Sequence, residues 1–234
     1  DRLKVAGLEG TGDSGTGIST SDCFDVIKGW HNNKPIDPAT GYKRPTIVNM
    51  SWGYGTTQSN TPTAGSFRGT NWTFGDAGFA SDANLRDNAG IIEKIYDSGV
   101  NRKMEVRYTS IDTDVQEMLD AGIHICIAAG NKYYYIAAEN DQDWNNYATI
   151  GGVNRYYHRG SSPYDTEAFM VGSLDISYTS GQEQKSEFSC CGPGVDIYAA
   201  GDEITSSTST TNRFADADYW GDSNFKQCNI SGTS

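Results

Sequence analysis

The chain has 234 residues, of which 36% are apolar, and its 30 acidic side chains against 18 basic ones give a formal net charge of −12. That length supports one domain with a large core, and fourteen tyrosines with five tryptophans argue against a disordered chain. An acidic balance of this size argues against nucleic acid as a partner, because phosphates demand a basic surface. No apolar run approaches the roughly 20 residues of a membrane helix, so no membrane partner is expected.

Taken in chain order, Leu3 to Leu8 reads as a short strand and Gly10 to Gly17 as a glycine-rich loop. Ser21 or Asp22 is placed to cap a helix through Phe24, Val26, Ile27 and Trp30, which Asn32-Asn33-Lys34-Pro35 ends. Thr46 to Ser51 is a short apolar strand that turns at Gly53. The stretch from Tyr54 to about Thr109 is the least regular, with a short helix expected from Asn88 to Tyr96. It reads as a loop insertion rather than a second domain. Asp112 to Gly122 has a helical start, an apolar face and a glycine stop. Ile123 to Ala129 follows at once as a buried strand, and Ala148 to Val153 is another. Beyond Val153 the pattern becomes hairpin-like, at Phe169 to Ser173, Lys185 to Cys190 and Val195 to Ala200.

Alternating strands and helices predict an α/β fold with a parallel sheet covered on both faces. In such sheets chemistry collects at the carboxyl ends of strands, and Ser51-Trp52-Gly53 and Ala129-Gly130-Asn131 both fall there. The five cysteines lack metal-ligand spacing, and vicinal Cys190-Cys191 would make a strained ring. Cys126 reads as a small buried hydrophobe.

Three segments carry the functional signal in a fixed order: Ile47-Val48-Asn49-Met50-Ser51-Trp52-Gly53, Ile123 to Asn131 ending Ala128-Ala129-Gly130-Asn131, and the terminal Asn229-Ile230-Ser231-Gly232-Thr233-Ser234. Ser186-Glu187-Phe188-Ser189 with Gly192 to Gly201 forms a fourth, in which Ala200 stands where proline is usual. Together they resemble the subtilisin-like serine proteases (subtilases, peptidase family S8). The resemblance implies a three-layer subtilisin-like fold, a central mainly parallel sheet flanked by helices. Residues 1–234 would then be a partial peptidase domain with an insertion at about 54–109.

It also implies an acyl-transfer mechanism, in which a serine hydroxyl is activated by an imidazole that a carboxylate orients. On this resemblance Ser234 is the nucleophile and Asn131 donates its side-chain amide to the oxyanion. Ser51, Trp52 and Gly53 form one wall of the primary pocket, and Ala128, Ala129 and Gly130 the other. Backbone around Ser14 and Gly15 pairs with an extended polypeptide substrate as an added strand. No cofactor is required, and calcium is expected only as a structural ion.

The departures matter as much. The family's Asp-Thr/Ser-Gly and His-Gly-Thr-His-Val-Ala runs do not occur in the sequence, nor does the Met-Ala-x-Pro helix after the nucleophile. Activity therefore needs missing segments or a companion chain that supplies aspartate and histidine. His124 alternates with apolar neighbours and reads as a buried structural residue, while His31 and His158 read as solvated; none is assigned a catalytic role. Glu139, Asp141 and Asp143 read as a solvated acidic loop and match no calcium motif. The chain thus reads as an incomplete serine endopeptidase. The alternative is a catalytically inactive subtilisin-fold structural or assembly protein, for example of a virion or surface layer.

Overall fold

The structure, a computed structural model, describes residues 19–58, 60–91, 94–96, 99–164, 166–176, 182–208, 217–219 and 222–233. Helix α1 (Thr20–Asn32) is capped by Ser19, not by Ser21 or Asp22. The Ser19 hydroxyl accepts the Asp22 N–H at 3.1 Å, and the Asp22 carboxylate takes the Ser19 N–H at 3.2 Å. This reciprocal box satisfies two donors that a helix start leaves unpaired. Strand β1 (Ile47–Met50) follows.

The stretch expected to be irregular is folded. It contains β2 (Gly55–Gln58), β3 (Ala64–Phe67), β4 (Thr70–Thr73), helix α2 (Asp82–Ala89), β5 (Lys94–Tyr96) and β6 (Gly99–Glu105). The helix expected over Asn88 to Tyr96 is displaced: among the described residues α2 ends at Ala89 and Lys94–Tyr96 is strand. The Ser81 hydroxyl caps α2 at the Asn84 N–H, and burial of Leu85 and Ala89 beside Trp72, Ile91 and Met104 holds it there.

Helix α3 (Thr109–Asp120) buries Ile111, Val115 and Met118, spaced four and three residues apart along one face. Its end explains the abrupt change to strand. The Gly122 N–H donates to the Leu119 carbonyl at 2.8 Å and the Ile123 N–H to the Met118 carbonyl at 3.1 Å. This is the Schellman closure, with Gly122 at φ 84° and Met118 and Ile123 both buried beside it. Strand β7 (His124–Ala128) starts one residue later.

The remaining strands are β8 (Tyr147–Ile150), β9 (Val153–Tyr156), β10 (Phe169–Asp175), β11 (Gln184–Lys185), β12 (Ile197–Ala200), β13 (Ile204–Thr208), β14 (Ala217–Tyr219) and β15 (Asp222–Ile230). The central sheet runs β1-β7-β10 in parallel, with β12 also parallel to β10 and the short β11 antiparallel at its end. Phe169 to Ser173 therefore lies inside the parallel sheet rather than in a hairpin. The strand expected at Ala148 to Val153 is two strands meeting at Gly151-Gly152; they pair with each other, and β8 also pairs with β3, in a separate antiparallel sheet.

Helices α1 and α3 pack on each other and share a core with one face of the central sheet, where Phe24, Val115 and Met118 meet Ile125, Ile127 and Met170. Side chains alternate in β7, so His124 points away from that core and is exposed, and Cys126 is half-buried. Ile47, Phe169 and Ile197 are likewise exposed. All five cysteines are free thiols. Among the described residues no helix is long and apolar enough to cross a membrane.

Candidate active site

Met50 and Ile127 are register partners in parallel strands, so the segments after them leave the carboxyl edge of the sheet side by side. Those segments are Ser51-Trp52-Gly53 and Ala128-Ala129-Gly130. The Ser51 hydroxyl accepts the Asn49 side-chain amide at 2.8 Å. Trp52, 40% exposed, meets Tyr54 edge to face at 5.3 Å between ring centres, and Tyr54 meets Tyr108 at 4.8 Å. A side chain at Gly53 would come within 2.6 Å of the Ser161 hydroxyl, so a third segment closes on this wall. Ser162 anchors that segment, its hydroxyl accepting the Tyr108 N–H at 2.6 Å. On the other wall the Ala129 N–H donates to the Val171 carbonyl at 2.9 Å.

Gly130 turns the chain at φ 103°, a conformation that side chains resist. Thr233 comes up against this turn. The Gly130 N–H donates to the Thr233 hydroxyl at 3.0 Å, and that hydroxyl donates to Asn131 Oδ1 at 2.8 Å. The Thr233 N–H donates to the same oxygen at 2.9 Å. Both bonds fall on the carbonyl oxygen of the amide, so its orientation is set and Oδ1 is the end turned to Thr233. Asn131 is exposed, whereas Thr233 is buried.

The segment bearing Thr233 is itself pinned to the sheet. The Gly232 N–H donates to the Gly201 carbonyl at 2.8 Å, and the Glu203 N–H to the Ser231 hydroxyl at 2.8 Å. The fit at Gly201 is tight, because a methyl there would lie 2.5 Å from the Gly232 carbonyl oxygen. Ser234 follows Thr233 in the chain, but it lies outside the described residues, as do Ser14 and Gly15.

Beyond Asn131, the Lys132 ammonium donates to the Glu105 carboxylate at 2.8 Å. Burial pushes the Glu105 carboxyl above its ordinary range, opposed by the neighbouring Lys132 charge. Cys190 lies behind the turn, its N–H donating to the Gly130 carbonyl at 2.9 Å. Burial raises its thiol, which keeps it protonated and unreactive.

The histidines reverse their expected environments. His31 and His158 are buried, and His124 is the exposed one. His31 closes on the Thr46 hydroxyl at 2.8 Å, and His158 on the Asn146 amide at 3.0 Å. His124 begins β7, roughly 13 Å of extended chain from Ala128. None of the three stands in the hydrogen-bonded group formed by Gly130, Asn131 and Thr233.

The acidic loop is also tighter than expected. Asp143 is buried and takes two bonds from Arg68, at 2.8 and 2.9 Å, and a third from Asn146 at 2.7 Å. Asp141 accepts the Tyr135 hydroxyl at 2.7 Å and the Asp143 N–H at 2.8 Å. Oxygens so committed do not fit calcium, which takes six to eight ligands. Among the described residues no group of three or more acidic, histidine or cysteine side chains is arranged to hold a metal.

Sequence reasoning assigned no part to Thr233, Gly201, Ser161, Glu105 or Lys132. Thr233 had a signal, its place in the Gly-Thr-Ser run. Glu105 and Lys132 had none, since each is an ordinary charge in its own segment.

The model of the subtilase family (Peptidase_S8) matches residues 28–234. No curated protein matches the chain. Among solved structures it is similar to a cold adapted subtilisin-like serine proteinase, with 22% identity and a TM-score of 0.38 over 94% of this chain and 44% of that one. A second is the S41 psychrophilic protease, with 16% identity and a TM-score of 0.42 over 95% of this chain and 47% of that one. The chain thus spans less than half the length of either structure.

Proposed function

Because the chain belongs to the subtilase family and has an α/β fold with a central mainly parallel sheet, we propose that it carries the nucleophile and oxyanion side of a serine endopeptidase site. In this reading Ser234 attacks the scissile carbonyl of a polypeptide and forms an acyl-enzyme. Its proton passes to an imidazole oriented by a carboxylate, both supplied by segments outside this sequence or by a companion chain. The Ser51–Gly53 and Ala128–Gly130 segments wall the primary pocket, and the Ser14–Gly15 region lies along the substrate backbone. Residues 1–234 form one partial peptidase domain, with the insertion at about 54–109. Acyl transfer of this kind needs no cofactor. Calcium, if bound, is a structural ion held by residues other than Asp141 and Asp143.

The observation that supports this best is the orientation of Asn131. Thr233 occupies Oδ1 from two directions, which leaves an amide N–H₂ at the carboxyl edge of the sheet as a preset donor. A donor oriented beforehand stabilises developing negative charge without reorganising during the reaction.

The test is hydrolysis of a denatured protein substrate by the full-length protein, together with labelling by a fluorophosphonate. Ser234→Ala abolishes both. Asn131→Ala lowers turnover by about 100- to 1,000-fold, the figure known for the equivalent donor of subtilisin itself. Hydrolysis that survives Ser234→Ala overturns the reading, and a protein that neither hydrolyses nor labels is a subtilisin-fold scaffold.

A further inference from the structure

We propose that Glu105, at the end of the insertion, is a positioning residue for the oxyanion loop: its ion pair with Lys132 holds the backbone at Asn131 on the side away from Thr233. This rests on the reading of Asn131 as the oxyanion donor and adds a partner that the 54–109 insertion brings to it.

The geometry is built for the pair. Glu105 is the last residue of β6 and faces Gly55, the first residue of β2, across an antiparallel ladder. Met104, just before it, is buried in the apolar cluster that the insertion shares with Ala148, Ile150 and Tyr157, so the carboxylate stands on a rigid base. The Lys132 ammonium lies over Gly55, where a methyl would approach it to 2.6 Å. Glycine at this place is what lets the lysine reach the carboxylate. Only 9% of the Glu105 side chain and 28% of the Lys132 side chain are exposed, so water screens the attraction little.

Residues 130–132 are then fixed at three successive positions by three different parts of the chain. Cys190 holds the Gly130 carbonyl, Thr233 holds the Asn131 side chain, and Glu105 holds Lys132. The Tyr133 N–H donates to the Phe188 carbonyl at 3.1 Å, so the backbone is also held beyond Lys132, and the ion pair adds a side-chain tie from the insertion. Burial disfavours the Glu105 charge and the neighbouring Lys132 favours it, so the lysine is what supports the carboxylate's charge there. An amide donor displaced by a fraction of an ångström still binds substrate, but it meets the transition-state oxygen poorly. The pair therefore acts on turnover and not on binding.

The experiment compares wild type, Glu105→Gln, Lys132→Met, the charge-swapped Glu105→Lys/Lys132→Glu double variant and Gly55→Ala, all in the full-length protein. Gly55→Ala displaces the ammonium while leaving both charges in place. Each single change lowers kcat by about tenfold with KM within about twofold, and the swapped pair recovers most of the loss. Hydrogen exchange at the Gly130–Lys132 amides, which needs no turnover, speeds up in the single variants and slows again in the swap. If Glu105→Gln and Gly55→Ala leave both kcat and that exchange unchanged while Ser234→Ala abolishes hydrolysis, the anchoring role is wrong and the peptidase reading stands. If wild type shows no Ser234-dependent hydrolysis, the peptidase reading fails and the catalytic role of the anchor fails with it, whatever the exchange shows.

Discussion

Thr233 gives both of its hydrogen-bond donors to one atom, Asn131 Oδ1, across 102 residues of sequence. Its hydroxyl also receives the Gly130 N–H, so one side chain reads both the backbone turn and the amide after it. Thr233→Val keeps the shape and the backbone bond but removes the hydroxyl. A bond of this kind contributes about 1 kcal/mol, so kcat should fall roughly three- to tenfold with little change in KM, well short of the loss from Asn131→Ala. Steady-state kinetics on the two variants side by side checks the order.

Gly201 offers a way to move Thr233 without touching it. An alanine methyl would meet the Gly232 carbonyl oxygen at 2.5 Å and the Ser173 hydroxyl at 2.6 Å, so the segment 231–233 has to shift away from the sheet. Gly201→Ala should therefore lower fluorophosphonate labelling by tenfold or more, on the order expected when a reacting group moves by about an ångström. Thermal unfolding measured on the same sample separates this from loss of fold.

His158 makes stability depend on pH. The Arg68 N–H donates to Asn146 Oδ1 at 2.6 Å, so the Asn146 amide must present its N–H₂ to Asp143 and to His158 Nδ1. His158 is therefore an acceptor at Nδ1 and neutral, and protonation would set donor against donor. Burial lowers its pKa, outweighing the nearby charge of Asp143, with Arg68 and Asp141 as the other charged groups facing it. His31 shifts the same way, through burial and then Lys34 and Lys43. A depressed histidine pKa means the unfolded chain takes up the proton first. The stability these neutral rings contribute is present above about pH 6.5 and is lost as pH falls through the folded values. Denaturant unfolding should show a slope of up to about 1.4 kcal/mol per pH unit for each histidine there, and His158→Asn should leave the shallower slope of His31.

The two faces of the central sheet should respond differently to truncation. Ile125 is fully buried beneath α1 and α3, and Ile125→Ala should cost about 2–5 kcal/mol. Ile197, 55% exposed, should lose less than about 1 kcal/mol in this chain. Urea midpoints of the two variants decide it.

The parts legible in the sequence were those whose cause is local. Helix α3 and strand β7 could be read because an apolar face, a glycine stop and an apolar run follow one another within about twenty residues. The family signature could be read because acyl transfer demands particular residue types in short contiguous runs. What failed were particular features set by a distant partner. Phe169 to Ser173 reads as hairpin-like in the sequence, and only its pairing with β7 and β12 makes it part of a parallel sheet. His124 and His158 exchanged environments because burial depends on what packs opposite, which alternation along one strand does not reveal.

The sequence alone therefore determined the family and the strand ends that bear the candidate site, and it singled out Asn131 and Ser234 for the roles proposed for them. Tertiary structure decided which way Asn131 points and what surrounds it. Thr233, Cys190 and the Glu105–Lys132 pair reach residues 130–132 from three separate segments, and hydrogen bonds and buried charges act between neighbours in space, whatever their separation along the chain.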